Sequence, residues 1–165
     1  MGVYGEDNIV NFDEFNNIIG IVANNNSGKS CFIDCILQAI FGEATRGSKI
    51  DMININSKSF HSEIVLSIND LIYRIVRKVN KNSKNNKSTA VKEECCIYEN
   101  DINISGSTIT KTSQIIKTKI GCIKDFILSC IVTQKSIYQG DIINFAELSS
   151  KEKRDLLCKI SNLDA

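Results

Sequence analysis

The sequence predicts an α/β fold built around a strand, a tight turn and a helix, on three observations. The apolar run "NIIGIV" (17–22) reads as a buried strand. It leads directly into "ANNNSGKS" (23–30), a turn ending in Gly-Lys-Ser. From Lys29 to Phe41 the apolar residues Ile33, Ile36, Leu37, Ile40 and Phe41 recur at helical spacing, and Gly42 is placed to end that helix.

The remaining elements follow in order. "NIVNF" (8–12) reads as a short strand ahead of the apolar run. "SEIVLSI" and "DLIYRIVRKV" are rich in strand formers and meet at Asn69-Asp70, a hairpin signal. "VNKNSKNNKSTAV" is polar and basic and reads as a long loop, after which "EECCIYEN" resumes as a strand. Helices are expected at 109–119 and about 122–132. Ser149 and Glu152 have the spacing of a capping box. The helix it opens carries a stripe of Leu156, Leu157, Ile160 and Leu163.

Composition narrows the class. The chain has 165 residues, 42% apolar and 24% charged, the balance of one globular domain with a real core. A net charge of +1 predicts no bulk attraction to nucleic acid, so any basic surface must be local. The sequence has neither an apolar run of membrane-spanning length nor a charged-then-apolar leader, which argues against a membrane span or secretion and for an intracellular protein. Seven cysteines without a C-x-x-C do not read as a disulfide framework or a zinc site. Cys31 and Cys35 can share a helix face, and packed thiols are the simpler reading of that pair than a metal site. The single histidine, His61, makes His-based catalysis implausible.

The turn at 23–30 carries the chemistry. A glycine-containing turn between a strand and a helix points backbone N–H groups at phosphates. Asn25, Asn26, Ser27, Gly28, Lys29, Ser30 and Cys31 are the candidate ATP-binding residues. Lys29 would reach the β- and γ-phosphates, and the Ser30 hydroxyl would ligate Mg²⁺. The full pattern, G-x-x-x-x-G-K-[ST], has glycine where this chain has Ala23. Asn26 stands where glycine is common, and Asn is the best substitute where the backbone needs positive φ. Ala23 is excluded only if its own backbone is left-handed. The competing reading is a chance Gly-Lys-Ser in a strand-to-helix turn.

Four stretches, taken in order, resemble the N-terminal half of the SbcC-type repair ATPases, ABC-class relatives of the SMC proteins, and look most like the phage and large-DNA-virus exonuclease subunits of that group. "YGEDNIVNF" resembles their opening region, and "NNIIGIVANNNSGKSCFIDCILQAIFG" their Walker A strand, loop and helix. "YENDINISGSTITKTSQIIKTKIG" resembles the segment leading into their helical subdomain. "FILSCIVTQ" with "INFAELSSKEKRDLLCKISNLD" resembles their Q-loop and the helix entering the coiled coil. The resemblance implies a P-loop NTPase fold, an ABC-ATPase N-lobe with a mixed sheet and a small helical Q-loop subdomain. It divides the chain into a Walker A lobe (1–105), a helical Q-loop segment (106–148) and the start of a coiled-coil helix (149–165).

The resemblance makes Gln134 the Q-loop glutamine, a ligand of Mg²⁺ and holder of the attacking water, with Gln139 in "YQGD" as the rival. It implies ATP and Mg²⁺ as cofactors. As partners it implies the chain's own C-terminal ATPase half, a second ATPase head, a metallophosphoesterase-type nuclease subunit and DNA. The expected site of action is the cytoplasm, the nucleoid or a viral replication site. A Walker B carboxylate pair and a signature loop are expected in that C-terminal half, so the chain reads as a fragment or split product, inactive in isolation. "IVLSIND" (64–70), ending in Asp70, and "ISGS" (104–107) mimic those motifs but precede the Q-loop, against the family order. Weak candidates for DNA contact are Arg77, Lys78, Lys81, Lys84 and Lys87, with a solvated hairpin tip as the rival reading. The alternatives in function are a non-hydrolysing module that binds ATP or DNA, and a chromosome-organising SMC- or RecN-like head.

Overall fold

The computed structural model describes residues 3–6, 8–15, 18–45, 47–81, 91–131, 137–138, 141–142 and 144–160. These fall into two compact units, 1–116 and 117–165.

In the first unit, helix α1 (Lys29–Phe41) has the bounds its apolar spacing predicts. It stops at Gly42, which adopts φ 76° and donates its N–H to the Gln38 carbonyl. Glycine takes that left-handed cap without the Cβ clash other residues meet. The buried face of α1 is not wholly apolar: Asp34 and Gln38 lie in it beside Leu37, Ala39 and Ile40. The Asp34 carboxylate accepts from the Thr45 backbone N–H (3.0 Å) and hydroxyl (2.6 Å), tying the chain after α1 back onto the helix.

The sheet of this unit is four-stranded, in the order β1-β2-β3-β4: β1 (Ser59–Ile68), β2 (Leu71–Lys81), β3 (Val91–Glu99) and β4 (Ile102–Asn103). Every pairing in it is antiparallel. The Asn69-Asp70 hairpin forms as expected, with φ 50° and 63°. Positive φ at both central residues marks the turn whose twist matches its strands. Asn100-Asp101 repeats the device, with φ 47° and 67°, between β3 and β4. Tyr73, Ile75, Arg77 and Val79 alternate as the buried face of β2, and Ile97 joins them from β3. Under one end of the sheet Ala44, Met52, Ile53, Phe60 and Val79 form a hydrophobic cluster, with Val91 packed against it.

Two expected strands are absent. Residues 8–11 are irregular and lead into a single 3-10 turn, Phe12–Glu14, in which the Asp13 N–H donates to the Asn11 side-chain oxygen. Residues 18–22 form no strand and are not buried: Ile18 is 98% exposed and Val22 95%. An apolar run becomes a strand only where a neighbour supplies hydrogen bonds, and none of the sheet's four strands pairs with it.

Helix α2 (Ile109–Lys119) matches its expected bounds and buries Thr112 and Ile116. In the second unit, α3 (Ile123–Cys130) is opened by Cys122, whose sulfur accepts from the Asp125 N–H. A short antiparallel pair joins β5 (Ile137–Tyr138) to β6 (Asp141–Ile142). Helix α4 (Ser150–Ile160) begins with the expected capping box. The Glu152 carboxylate accepts from the Ser149 N–H (2.9 Å) and hydroxyl (2.6 Å), and the Glu152 N–H returns to the Ser149 hydroxyl (3.4 Å). Of the stripe expected on α4, Leu156 is buried and Leu157 is half-exposed, while the side chain of Ile160 and the whole of Leu163 lie outside the described residues.

Candidate nucleotide site and basic surface

The turn before α1 is shaped by two left-handed residues. Asn26 has φ 63°, the conformation its place in the pattern requires, and Gly28 caps the helix at φ 99°. Ala23 has no positive φ, so its Cβ meets no backbone penalty there. The Ser27 hydroxyl donates to the Asn24 carbonyl at 2.7 Å and closes the turn.

Lys29 is the first residue of α1. Its ammonium folds back to donate to the carbonyls of Ala23 (2.5 Å) and Asn24 (2.7 Å). These bonds hold the charge at the mouth of the turn. Ser30 is exposed at the second helical position, where the backbone N–H groups have no intrahelical acceptor. Asn25 is exposed in the turn, and Cys31 is half-buried behind it.

Sequence reasoning missed the packing behind the turn. The Tyr4 hydroxyl donates to the Gly28 carbonyl at 3.1 Å, and a Cβ on Gly28 would collide with the Val3 side chain. Gly28 is therefore needed twice, for its φ and for this close approach. Burial raises the Tyr4 phenol above its ordinary range, and the Cys35 and Cys31 sulfurs add to the effect. A hydrogen bond from the Cys35 thiol holds the Cys31 sulfur below the usual thiol range; the same bond raises Cys35. The Tyr4–Gly28 contact joins residues 24 apart along the chain, so no local pattern announces it.

Of the residues expected to contact DNA, Arg77 is corrected outright. It is 1% exposed, on the core face of β2. Its guanidinium donates to the carbonyls of Ala39 (Nε, 3.1 Å) and Ile40 (Nη2, 2.9 Å) and to the Glu93 carboxylate (Nη1, 3.0 Å). Glu93 also receives Lys49. Arg77 thus satisfies carbonyls at the C-terminal end of α1, where a cation also complements the helix dipole. Gly42 passes so close that a Cβ there would press on the guanidinium.

Lys78, one residue on, faces the other side of the sheet and is exposed, paired in register with His61 and Glu94. Arg74 lies on the same face, 4.1 Å above the Tyr98 ring. Lys81, at the end of β2, donates to the Ser57 carbonyl at 2.9 Å. Lys84, Lys87, Gln134 and its rival Gln139 lie outside the described residues. Asp70 sits in the β1–β2 turn, as a hairpin residue. The "ISGS" segment is a structural connection, where the Ser105 hydroxyl accepts from the Ile97 N–H at 3.0 Å. Among the described residues no cluster of three or more His, Cys, Asp or Glu side chains could hold a metal ion, and no helix is long and apolar enough to cross a membrane.

A phosphate loop that opens a helix and is braced from behind, beside a sheet, defines a P-loop domain of α/β class. The chain belongs to the AAA domain family, whose model matches residues 1–164. It is 31% identical, over 96% of its length, to an uncharacterized protein of Acanthamoeba polyphaga mimivirus, of which it covers 12%. It is also similar to two proteins named DNA double-strand break repair Rad50 ATPase. That of Methanocaldococcus jannaschii is 24% identical over 89% of the chain and 13% of the relative. That of Thermoplasma acidophilum is 30% identical over 96% of the chain and 17% of the relative. The chain therefore spans 12–17% of the length of these relatives. The matches agree with the resemblance its motifs carry, to the N-terminal half of an SbcC/Rad50-type ATPase.

Proposed function

We propose that the chain is the ATP-binding half of an SMC/SbcC-like ATPase head that acts in DNA double-strand-break repair or recombination with a metallophosphoesterase-type nuclease. The observation that supports this most is the loop at 23–30, with Gly28 left-handed at the head of α1 and the Lys29 ammonium held over the turn. In this reading Lys29 leaves the Ala23 and Asn24 carbonyls for the β- and γ-phosphates. The backbone N–H groups from Asn26 to Cys31 cradle those phosphates, and the Ser30 hydroxyl supplies one oxygen to Mg²⁺. The exposed Ser30 hydroxyl is a hard oxygen donor that suits Mg²⁺, and the open N–H groups of the helix terminus suit the phosphates the cation would accompany.

Gln134 is the Q-loop glutamine, which holds a water near the γ-phosphate. The carboxylate that activates that water, and the signature loop that caps the phosphate, come from the C-terminal half and a second head. Two heads closing on ATP grip DNA, with Lys78, Lys81, Lys84 and Lys87 contributing phosphate contacts that carry no sequence preference. The work is done inside the cell, in the cytoplasm or at a nucleoid or viral replication site. The Rad50 names of two relatives support the repair reading.

The test is ATP titration of the protein and of Lys29→Ala, with thermal melting as a control. Losing a charge-assisted contact weakens binding by about 2–3 kcal/mol, roughly 30- to 150-fold, with little change in the nucleotide-free melt. Equal affinities would remove the phosphate-loop reading.

A further inference from the structure

Helix α1 is held by its C-terminal half. Asp34, Leu37, Gln38, Ala39 and Ile40 are buried, whereas no residue from Lys29 to Ile33 is. The chain that enters the phosphate loop, residues 18–22, forms no strand and lies exposed. Tyr4 and Val3 touch the loop from behind at Gly28. The loop thus projects from a helix whose direction is set at its other end.

At that end stands Arg77. Strand β2 is paired on both sides, with Ser62 of β1 and Cys95 of β3 opposite Arg77, so its backbone is fixed within the sheet. The guanidinium uses all three nitrogens, on the Ala39 carbonyl, the Ile40 carbonyl and the Glu93 carboxylate. The last carbonyls of a helix have no intrahelical donor, so these bonds fill places that α1 cannot fill itself. Glu93, whose side chain is 8% exposed and which also receives Lys49, holds the third nitrogen and so fixes the plane of the guanidinium. A planar fork reaches three acceptors at once, whereas lysine offers a single nitrogen.

We propose that Arg77 is a positioning residue for the phosphate loop: from within the sheet it fixes the C-terminal end of α1, and through the rigid helix it aims Lys29 and Ser30. The anchoring of α1 stands on the bonds above; its effect on phosphate binding rests on the nucleotide-site reading.

The helix acts as a lever. Lys29 and Ile40 are separated by about 16 Å along α1, at 1.5 Å per residue. Over that length a tilt of about 4° at the anchored end moves the loop by about 1 Å. A misplacement of about 1 Å costs up to roughly 100-fold where several groups must act in one geometry. The N–H groups at the head of α1 and the Lys29 ammonium are such a set.

The experiment compares ATP affinity in the parent, Arg77→Lys and the double variant Arg77→Met/Glu93→Leu, at a temperature where melting shows all three folded. Arg77→Lys keeps the charge and loses the fork. The double variant leaves no buried charge alone, so it folds even if Arg77→Lys does not. Both are expected to bind ATP about tenfold or more weakly than the parent. Amide hydrogen exchange on the nucleotide-free proteins gives a second readout. Protection is expected to fall along α1 while β1 and β3 keep theirs. If a folded variant binds ATP within about twofold of the parent, Arg77 serves stability alone and the proposal is wrong. It is equally wrong if protection falls evenly over the whole first unit, because the weaker binding then reports general loosening. Should the parent bind no ATP, the nucleotide reading fails, and the exchange pattern still decides whether Arg77 fixes α1.

Discussion

Asn26 and Ala23 show how much a single backbone angle decides. Both replace glycines of the phosphate-loop pattern, and only Asn26 occupies the left-handed region, at φ 63°. Asn tolerates that region better than other side chains do, while Ala23 meets no such demand. Ala23→Gly is therefore expected to leave ATP affinity within about tenfold, or 1.4 kcal/mol, in the same titration used for Lys29. A much larger gain in affinity would mean that the natural loop is strained. Arg77 teaches the opposite lesson. Its letters, in "YRIVRKV", read as a basic strand, yet it is a buried cation bonded to the end of α1 and to Glu93. Removing one partner of a buried ion pair leaves the other uncompensated, so Arg77→Ala should destabilise the first unit by about 3–5 kcal/mol in urea unfolding. Lys78→Ala, on the exposed face, should shift the midpoint by less than about 0.5 kcal/mol. Equal effects of the two changes would contradict the buried placement.

The elements that were legible in the sequence are ones whose stabilising bonds are local. Helix α1, the Asn69-Asp70 hairpin, α2 and the capping box of α4 each close within a few residues, and each stands where the spacing put it. The capping box gives a pH signature. Hydrogen bonds from the Ser149 hydroxyl and backbone N–H hold the Glu152 carboxyl below its ordinary range. A depressed carboxylate contributes stability that is present above its unfolded pKa and is lost as pH falls through the folded value. The α4 helix should thus fray on acidification below the ordinary glutamate range, read as loss of amide-exchange protection at the start of α4. Glu152→Gln should remove that pH dependence; an unchanged acid profile in the variant would show that the box does not govern this terminus. The run 17–22 failed as an element for the converse reason. A strand is defined by its neighbour, and an apolar run carries no information about who that neighbour is.

At the scale of the whole molecule, ATP turnover is the property that one chain of this kind cannot be expected to perform alone. The loop offers amides, Lys29 and Ser30, but in our proposal the acid that activates water and the loop that caps the γ-phosphate belong to the C-terminal half. Stabilisation of a transition state by groups that are not present cannot occur. Steady-state phosphate release by the 165-residue chain should therefore be near background, and should rise when the C-terminal half is added in trans. In that mixture Gln134→Ala should lower turnover more than Gln139→Ala. Robust hydrolysis by the chain alone would point to an internal acid, with Asp70 the first to replace. A larger loss at Gln139 would move the Q-loop register while leaving the fold intact.

By itself the sequence determined helix α1, the left-handed turn before it and the Asn69-Asp70 hairpin turn. Those features are set by φ preferences, caps and spacings that act over a few residues. Only the tertiary structure decided which basic residues meet solvent, because burial of Arg77 depends on carbonyls at Ala39 and Ile40, 37 or 38 residues away. It alone brought Tyr4 behind Gly28. It also left Ile18 and Val22 exposed, since whether an apolar side chain is covered depends on what packs over it rather than on its own hydrophobicity.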